Sequence, residues 1–370
     1  MGVSIARRNL FEGRTKFVIS VAGVALAMLL ILALDAIWAG SMKQVTTYMN
    51  NSDFDVVIAQ KGVRSMHMST SAFPLVRIEE VRKVRGVDDV APILYATDFF
   101  KFGENRNLAY VIGFDPKIGL GGPWEITEGK DKIEAGEIVI DEQIARRDGV
   151  KLGDKVEVLG GRFTVSGLTR RTTSITNSIA FVRFDDFERV RRFSGVTSYL
   201  LITVTRGSTA GEVARRISAK LKDVTVITNQ EFAESERKAV RDMAVDIMRI
   251  MNFIGFLIGL AALALSIYTA TLSKIKEYGV LKALGFKNRN LYSVVFEQTI
   301  ISVVIGFGVA AAVSWAMSLT LAAMGSSILL IIEPFSLLKV VSGALVTGLL
   351  AAAIPIQRIS GVKPAEVFRR

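Results

Sequence analysis

Residues 251–272 read MNFIGFLIGLAALALSIYTATL, a run without a single charged side chain. About 20 consecutive apolar residues suffice for a helix to cross the hydrocarbon of a bilayer. Backbone polar groups inside lipid must be satisfied within the helix itself, so a run of this kind leaves few folds open. Three further runs resemble it. Phe17–Trp38 reads FVISVAGVALAMLLILALDAIW, Thr299–Met324 is uncharged, and Leu337–Ile356 is shorter with Lys339 near its start. The first run is longer than the apolar core of a secretory signal, and no clean small-residue cleavage site follows it. It reads as a retained anchor.

Charge gives the orientation. Arg7, Arg8, Arg14 and Lys16 stand against Glu12 before the first run. Lys274, Lys276, Lys282, Lys287 and Arg289 stand against Glu277 between the second and third. Arg358, Lys363, Arg369 and Arg370 stand against Glu366 after the fourth, whereas 325–336 holds no Lys or Arg. Lys and Arg accumulate on the cytoplasmic side of membrane proteins. Both termini and the 273–293 loop are therefore expected inside, and residues 39–250 outside. These three segments account for nearly all of the chain's net charge of +11. The basic balance thus reflects topology, and nucleic acid is not an expected partner.

The remaining composition fits a mixture of spans and a water-exposed domain. Half of the 370 residues are hydrophobic, yet 22% are charged, and the mean hydropathy is +0.39. Without cysteine there is no disulfide framework and no thiolate metal site. His67, the one histidine, lies in a polar Met/Ser stretch and reads as a surface residue.

Within 39–250, two stretches share a strand–helix–strand pattern. FDVVIA (54–59), RIEEVRKV (77–84) and VDDVAPIL (87–94) form one. SYLLITVTR (198–206), GEVARRISAKL (211–221) and VTVITN (224–229) form the other. Two such halves suggest one ferredoxin-like α+β sheet. Between them, 99–195 carries short alternating runs that read as a β-rich insertion, with Gly160-Gly161 as a hairpin turn. GPWEITEGKD (122–131) lacks the spacing and the Ser or Thr of a phosphate-binding loop. The acidic pairs Asp88-Asp89 and Asp185-Asp186 read as solvated turn or helix-start residues, not as catalytic carboxylates.

Thr228 and Glu231 form a capping box. The helix they start runs without Pro into the second apolar run. At 1.5 Å per residue, about 44 residues reach roughly 66 Å, twice the thickness of a bilayer core, so a rigid stalk is expected outside. Asp35, near the outer end of the first span, reads as hydrated or as packed in that stalk, while Gly255, Gly259, Gly306 and Gly308 favour close helix approach. In SKIKEYGVLKALGFKNRNL (273–291), Ile275, Tyr278, Leu281 and Leu284 recur at helical spacing, bordered by lysines, and Gly285 is placed to end the helix. A short amphipathic helix of this sort either lies in the headgroups or docks into a groove on a cytoplasmic partner.

The wording of that segment, through Glu277, Gly279, Val280, Leu281, Lys282, Ala283, Leu284 and Gly285, resembles the signature between spans two and three of the MacB/LolC/FtsX-like ABC transporter permeases. The tail PIQRISGVKPAEVFR resembles the family ending through Pro355, Arg358, Ser360, Pro364, Glu366 and Arg369. The start resembles the family opening through Arg8, Asn9, Leu10, Arg14 and Thr15. Glu297 followed by Gly306 resembles the family's third span, and YVIGFD and GEIVIDEQIARRDGVKLGDKVEVLGGRFTVSGL resemble its periplasmic core domain.

The resemblance implies a four-helix membrane protein with a large α+β extracytoplasmic domain, in the inner or cytoplasmic membrane and with both termini cytoplasmic. The expected division is 1–16 cytoplasmic, 17–38 span one, 39–250 the external domain with stalks and the 99–195 insertion, and 251–272 span two. It continues with 273–293 as coupling loop, 294–324 span three, 325–336 external, 337–356 span four and 357–370 cytoplasmic tail. The chain is implied to be a non-enzymatic permease of the mechanotransmission type. It would work with two copies of a separate ABC ATPase that bind ATP and Mg, since only 16 residues precede span one. A second permease copy or paralogue, and a periplasmic adaptor, are the other candidate partners; no cofactor or metal is expected in the chain. The implied activity is export or extrusion of a hydrophobic, lipid-like or peptide substrate, the alternative being an FtsX-like regulator of a cell-wall hydrolase. The implied ATPase-coupling residues are Glu277, Tyr278, Gly279, Val280, Leu281, Lys282, Leu284 and Gly285.

Overall fold

The structure is a computed structural model that describes residues 14–130, 132–174, 177–273, 275–324, 326 and 328–360. Most of the expected cytoplasmic N-terminus and tail, Arg8–Leu10 and Lys274 lie outside the described residues. The chain divides into two compact units: a helical one (Met1–Gly40, Val245–Met324, Leu329–Arg370) and an α/β one (Ser41–Ala244, Gly325–Ile328).

The chain begins with α1 (Arg14–Val45) and α2 (Thr47–Asn51). There follow β1 (Val56–Gln60), β2 (Phe73–Pro74), α3 (Arg77–Arg82), β3 (Val87–Phe102), β4 (Asn105–Phe114), β5 (Ile126–Gly129) and β6 (Glu137–Asp141). Next are α4 (Glu142–Asp148), β7 (Lys155–Val158), β8 (Gly161–Thr169), β9 (Thr173–Ser174), β10 (Asn177–Arg183) and α5 (Phe184–Arg191). Then come β11 (Val196–Thr197), β12 (Tyr199–Val204), α6 (Ala210–Lys220) and β13 (Val224–Thr228). The chain continues with α7 (Asn229–Ser273), α8 (Ile275–Ala283), α9 (Asn288–Ala323) and α10 (Pro334–Ser360).

In the α/β unit the two strand–helix–strand halves interleave. The order is β13-β1-β12-β3, so each half inserts a strand between the two of the other, and every neighbouring pair is antiparallel. This is the split βαβ arrangement of ferredoxin-like sheets. Side chains alternate across the pleat. Val56, Ile58, Val90, Leu200 and Ile202 meet Val81 of α3 and Val213 and Ile217 of α6 on one face. Val57, Ala59, Ile93, Tyr199 and Leu201 meet Tyr48, Phe54 and Phe232 on the other. Both faces are covered, which is why these strands read as nearly continuous apolar runs.

The expected boundary of the insertion at residue 99 falls inside a strand. β3 begins in the ferredoxin-like sheet and ends in a second one, ordered β3-β4-β10-β6-β8. Strand β7 pairs with β8 and reaches β3 at Lys101↔Glu157, closing the strands into a ring. Its interior holds Phe100, Val111, Ile138, Val156, Phe163 and Ala180, with Phe187 of α5 packed against them. A continuous strand shared by two sheets carries no loop signal at the junction. The hairpin between β7 and β8 turns on Leu159 and Gly160, φ 59° and 81°, so Gly161 is the first strand residue and not part of the turn. Two successive positive φ values match the right-handed twist of the flanking strands. Residues 126–129, within GPWEITEGKD, form the edge strand β5.

Two expected surface groups are buried. Asp186 accepts the Gly136 N–H at 2.8 Å and pairs with Arg189 in the first turn of α5, whereas Asp88 and Asp89 are exposed on β3. A buried carboxylate requires such donors. The His67 side chain is also enclosed, with Nδ1 3.0 Å from Glu236 and its ring edge-on to Tyr110. The polar composition around it reflects contacts with this distant helix residue rather than exposure.

In the helical unit, Val24, Met28 and Leu32 of α1 pack with Val294, Val295, Val303 and Ala310 of α9 and with Val340 of α10. A Cβ on Gly306 would lie 2.7 Å from Val24, so the α1–α9 approach needs glycine there, while Gly308 faces open space. Asp35 has a specific partner that its sequence setting did not suggest: Lys339 Nζ lies 2.5 Å from its Oδ1. Ala36 also accepts the Ile331 N–H at 3.1 Å. Large apolar side chains point outward along these helices, among them Leu26, Phe253, Leu265, Val304, Trp315, Leu338 and Leu350. Among the described residues, Phe17–Val45 and Asn288–Leu321 are long and apolar enough to cross a membrane, and Pro334–Leu350 is apolar but shorter.

Candidate functional site

The segment singled out by the sequence is helical over Ile275–Ala283, α8. Its C-terminus is a Schellman motif: the Phe286 N–H donates to Leu281 O at 3.1 Å and the Gly285 N–H to Lys282 O at 3.0 Å. Gly285 has φ 89°, the left-handed conformation that glycine adopts without strain. The motif reverses the chain, and α9 starts at Asn288.

The faces of this helix differ from those the apolar stripe suggests. Tyr278 is fully buried in the unit's own core, among Val24, Met28, Leu291, Val294 and Val295. Its hydroxyl lies near Gln298 without a well-aligned hydrogen bond. Burial pushes this hydroxyl up to about 12, Glu277 adds to the rise, and Gln298 opposes it. Gly279 is buried, and Leu281 and Lys282 are half-buried. The outward stripe is Lys276, Val280 and Leu284, at i, i+4 and i+8, with Glu277 beside it. Val280 is 41% exposed, Leu284 72% and Phe286, just past the Schellman turn, 37%. Exposed Lys287 and Arg289 follow.

Of the eight candidate residues, the structure thus gathers Glu277, Val280 and Leu284 on the outer face and turns Tyr278, Gly279 and Leu281 inward. Lys282 lies between the two faces, and Gly285 makes the turn. Sequence spacing overlooked Phe286 as an outward apolar group. Its signal was its place at the residue after a C′ glycine, where an apolar side chain commonly packs on the last helical turn. The resulting surface is an apolar knob of Val280, Leu284 and Phe286 rimmed by Lys276, Lys287 and Arg289. Chemically it is an exposed apolar helix end with cations beside it, the kind of surface that an apolar groove can receive. Among the described residues no group of His, Cys, Asp and Glu is arranged to hold a metal ion.

Residues 17–220 match the MacB-like periplasmic core domain, and residues 249–364 match the FtsX-like permease C-terminal domain. Over 313 residues the chain is 21% identical to an uncharacterised ABC transporter permease of Methanocaldococcus jannaschii, covering 79% of this chain and 77% of that one. Over 253 residues it is 22% identical to a Staphylococcus haemolyticus protein described as a hemin transport system permease, covering 66% of each. Two similar solved structures are the periplasmic region of MacB from Actinobacillus actinomycetemcomitans and the extracellular domain of the ABC-type transporter YknZ from Gram-positive bacteria. The first is 11% identical, covers 50% of this chain and 93% of that one, and has a TM-score of 0.40. The second is 13% identical, covers 47% and 98%, and has a TM-score of 0.37. With its core domain and its permease domain matched in the same order, the chain belongs to the MacB/FtsX-like family of ABC transporter permeases.

Proposed function

We propose that this chain is a membrane subunit that converts ATP hydrolysis by a partner ABC ATPase into movement of its α/β unit. The observation that carries this reading is the face of α8: an exposed knob of Val280, Leu284 and Phe286 on a helix whose opposite face is locked into the core by Tyr278. A displacement imposed on the knob has no slack to absorb it, because Tyr278 is enclosed by side chains of α1 and α9. Helix α7, 45 uninterrupted residues, offers a stiff path from the membrane-length run 251–272 back to the capping box at Thr228.

The reading takes the chain to cross the membrane four times, at 17–38, 251–272, 294–324 and 337–356, with both termini and 273–293 in the cytoplasm. Two observations support it. The outward side chains of the helical unit are apolar, the inverse of a water-facing surface. The Asp35–Lys339 pair joins the end of the first run to the start of the fourth, which lie at one level when spans alternate in direction. A second permease copy completes the complex, and the partner ATPase supplies the ATP and Mg site. The substrate class is hydrophobic, lipid-like or peptide, handled at the outer leaflet or outside. A relative described as a hemin permease fits an apolar cargo of this kind.

The test is to place a carboxylate on the knob. Val280→Glu and Leu284→Glu should each abolish co-purification of the ATPase, or reduce it at least tenfold, while leaving the permease folded. Undiminished capture of the ATPase by both variants refutes the reading.

A further inference from the structure

Glu236 is fully buried on the second turn of α7 that follows the capping box, yet it is engaged by a segment about 170 positions earlier in the chain. One carboxylate oxygen accepts the Met66 N–H. The other accepts the Ser65 hydroxyl at 2.9 Å and lies 3.0 Å from His67 Nδ1. A carboxylate removed from water is tolerable only with donors of this number. All three contacting groups belong to consecutive residues of the irregular segment 61–72, which joins β1 to β2. The two ends of that segment are fixed separately. Gly62 N donates to Thr225 Oγ at 2.8 Å, and Ser71 Oγ accepts the Gln60 N–H at 2.9 Å. Between these ends, Glu236 holds its middle through Ser65, Met66 and His67.

The contact is also directional. Ser65 Oγ accepts the Met68 N–H at 3.1 Å, which folds the chain back over the carboxylate. His67 stands edge-on to Tyr110, centroids 4.7 Å apart, so the segment is set between helix α7 and strand β4. Met68 is 47% exposed, and Ser69 and Thr70 are exposed beside it. A buried helix residue therefore controls the position of an exposed tip.

We infer that Glu236 is the positioning residue through which helix α7 grips the 61–72 segment, so that the tip at Met68–Thr70 travels with that helix. The inference rests on the proposed coupling of α7 to an ATPase. It adds the place where helix motion is delivered to the α/β unit. If the helix shifts or turns, three hydrogen-bonded contacts oblige residues 65–67 to follow, whereas the strands on either side are held by their own ladders.

The chain has no cysteine, so a single reporter thiol can be introduced without background. The experiment uses the full chain in lipid nanodiscs with its ATPase, carrying Met68→Cys with a spin label. Label mobility is compared between the nucleotide-free and ATP-trapped states, and amide exchange is followed across 61–72. In the parent, the label's mobility should change between the states, and the Met66 amide should be protected. Glu236→Ala should speed Met66 exchange at least tenfold and make the label indifferent to nucleotide. Ser65→Ala should do so in part. If Glu236→Ala also loses protection in β1 and β12, it has lost its fold, and Ser65→Ala decides alone. Unchanged Met66 exchange and retained nucleotide response in the variants overturn the inference. So does a parent label that ignores nucleotide while the ATPase is assembled and active, an outcome that leaves the coupling reading standing. Failure of the ATPase to assemble with the parent sinks the coupling reading itself, and with it the inference that the tip follows an ATPase-driven helix.

Discussion

At the scale of single residues, Tyr278 separates anchoring from docking. A fully buried phenol with an unsatisfied hydroxyl contributes through its ring and loses free energy through its oxygen. Tyr278→Phe should therefore leave ATPase co-purification intact and keep or slightly raise the thermal midpoint. The same change has a signature at high pH. The folded-state value of the hydroxyl lies above its ordinary one because burial disfavours the phenolate. The stability tied to the neutral form is whole below about 10 and is lost as pH rises through about 12. Buried Tyr48 and Tyr199 and the partly buried Tyr95 are raised as well, chiefly by desolvation. The diagnostic quantity is thus the difference between parent and Tyr278→Phe: melting scans whose gap is small near pH 8 and widens above pH 10, with the Phe variant the more stable. Scans that fall together throughout would show that the Tyr278 ring is not buried in solution. The family resemblance placed this tyrosine among the ATPase-coupling residues, and its spacing fits an apolar stripe. Only the core of α1 and α9 decides which side of a short helix faces in, and that core is assembled from distant parts of the chain.

At the scale of elements, what the sequence could and could not reveal follows from the range of the forces involved. The capping box is a local device, and it forms as its spacing implies: Glu231 accepts the Thr228 N–H at 2.8 Å, and Thr228 Oγ accepts the Glu231 N–H at 3.2 Å. The strands of the ferredoxin-like sheet were legible because apolar runs bounded by turn residues are local too. Nothing local marks β3 as shared by two sheets, or joins Asp35 to Lys339 across 304 positions. That pair makes an asymmetric prediction. Asp35 is short and only 12% exposed, whereas Lys339 is 46% exposed and long enough to reach water by itself. Removing the lysine leaves a carboxylate stranded, and removing the aspartate leaves an ammonium that can extend outward. Lys339→Leu should therefore lower the melting temperature of the detergent-solubilised protein more than Asp35→Leu. The double variant should recover much of the loss, with a coupling of about 1–3 kcal/mol in a double-mutant cycle. Additive losses would mean that the two side chains do not meet.

At the scale of the whole molecule, the decisive property is an inversion of polarity between the two units. The α/β unit buries its apolar residues on both faces of one sheet and inside a ring of strands, as a water-exposed domain does. The helical unit shows apolar side chains outward, and its basic residues cluster at the ends of its apolar runs. Under the proposed topology, lipid surrounds the helical unit and water the α/β unit, and the Lys and Arg bias assigns the sides. Labelling of intact cells with a membrane-impermeant maleimide tests this arrangement. Glu104→Cys, in the exposed turn between β3 and β4, should react from outside. Leu284→Cys, on the knob of α8, should react only after permeabilisation, in cells that express the permease without its ATPase. If both thiols react from the same side, the two units share a compartment, and no helix of this chain could carry work from a cytoplasmic ATPase to the far face of the membrane. The cysteine-free sequence makes the result readable from two single substitutions, each at an exposed site where a thiol disturbs no core contact.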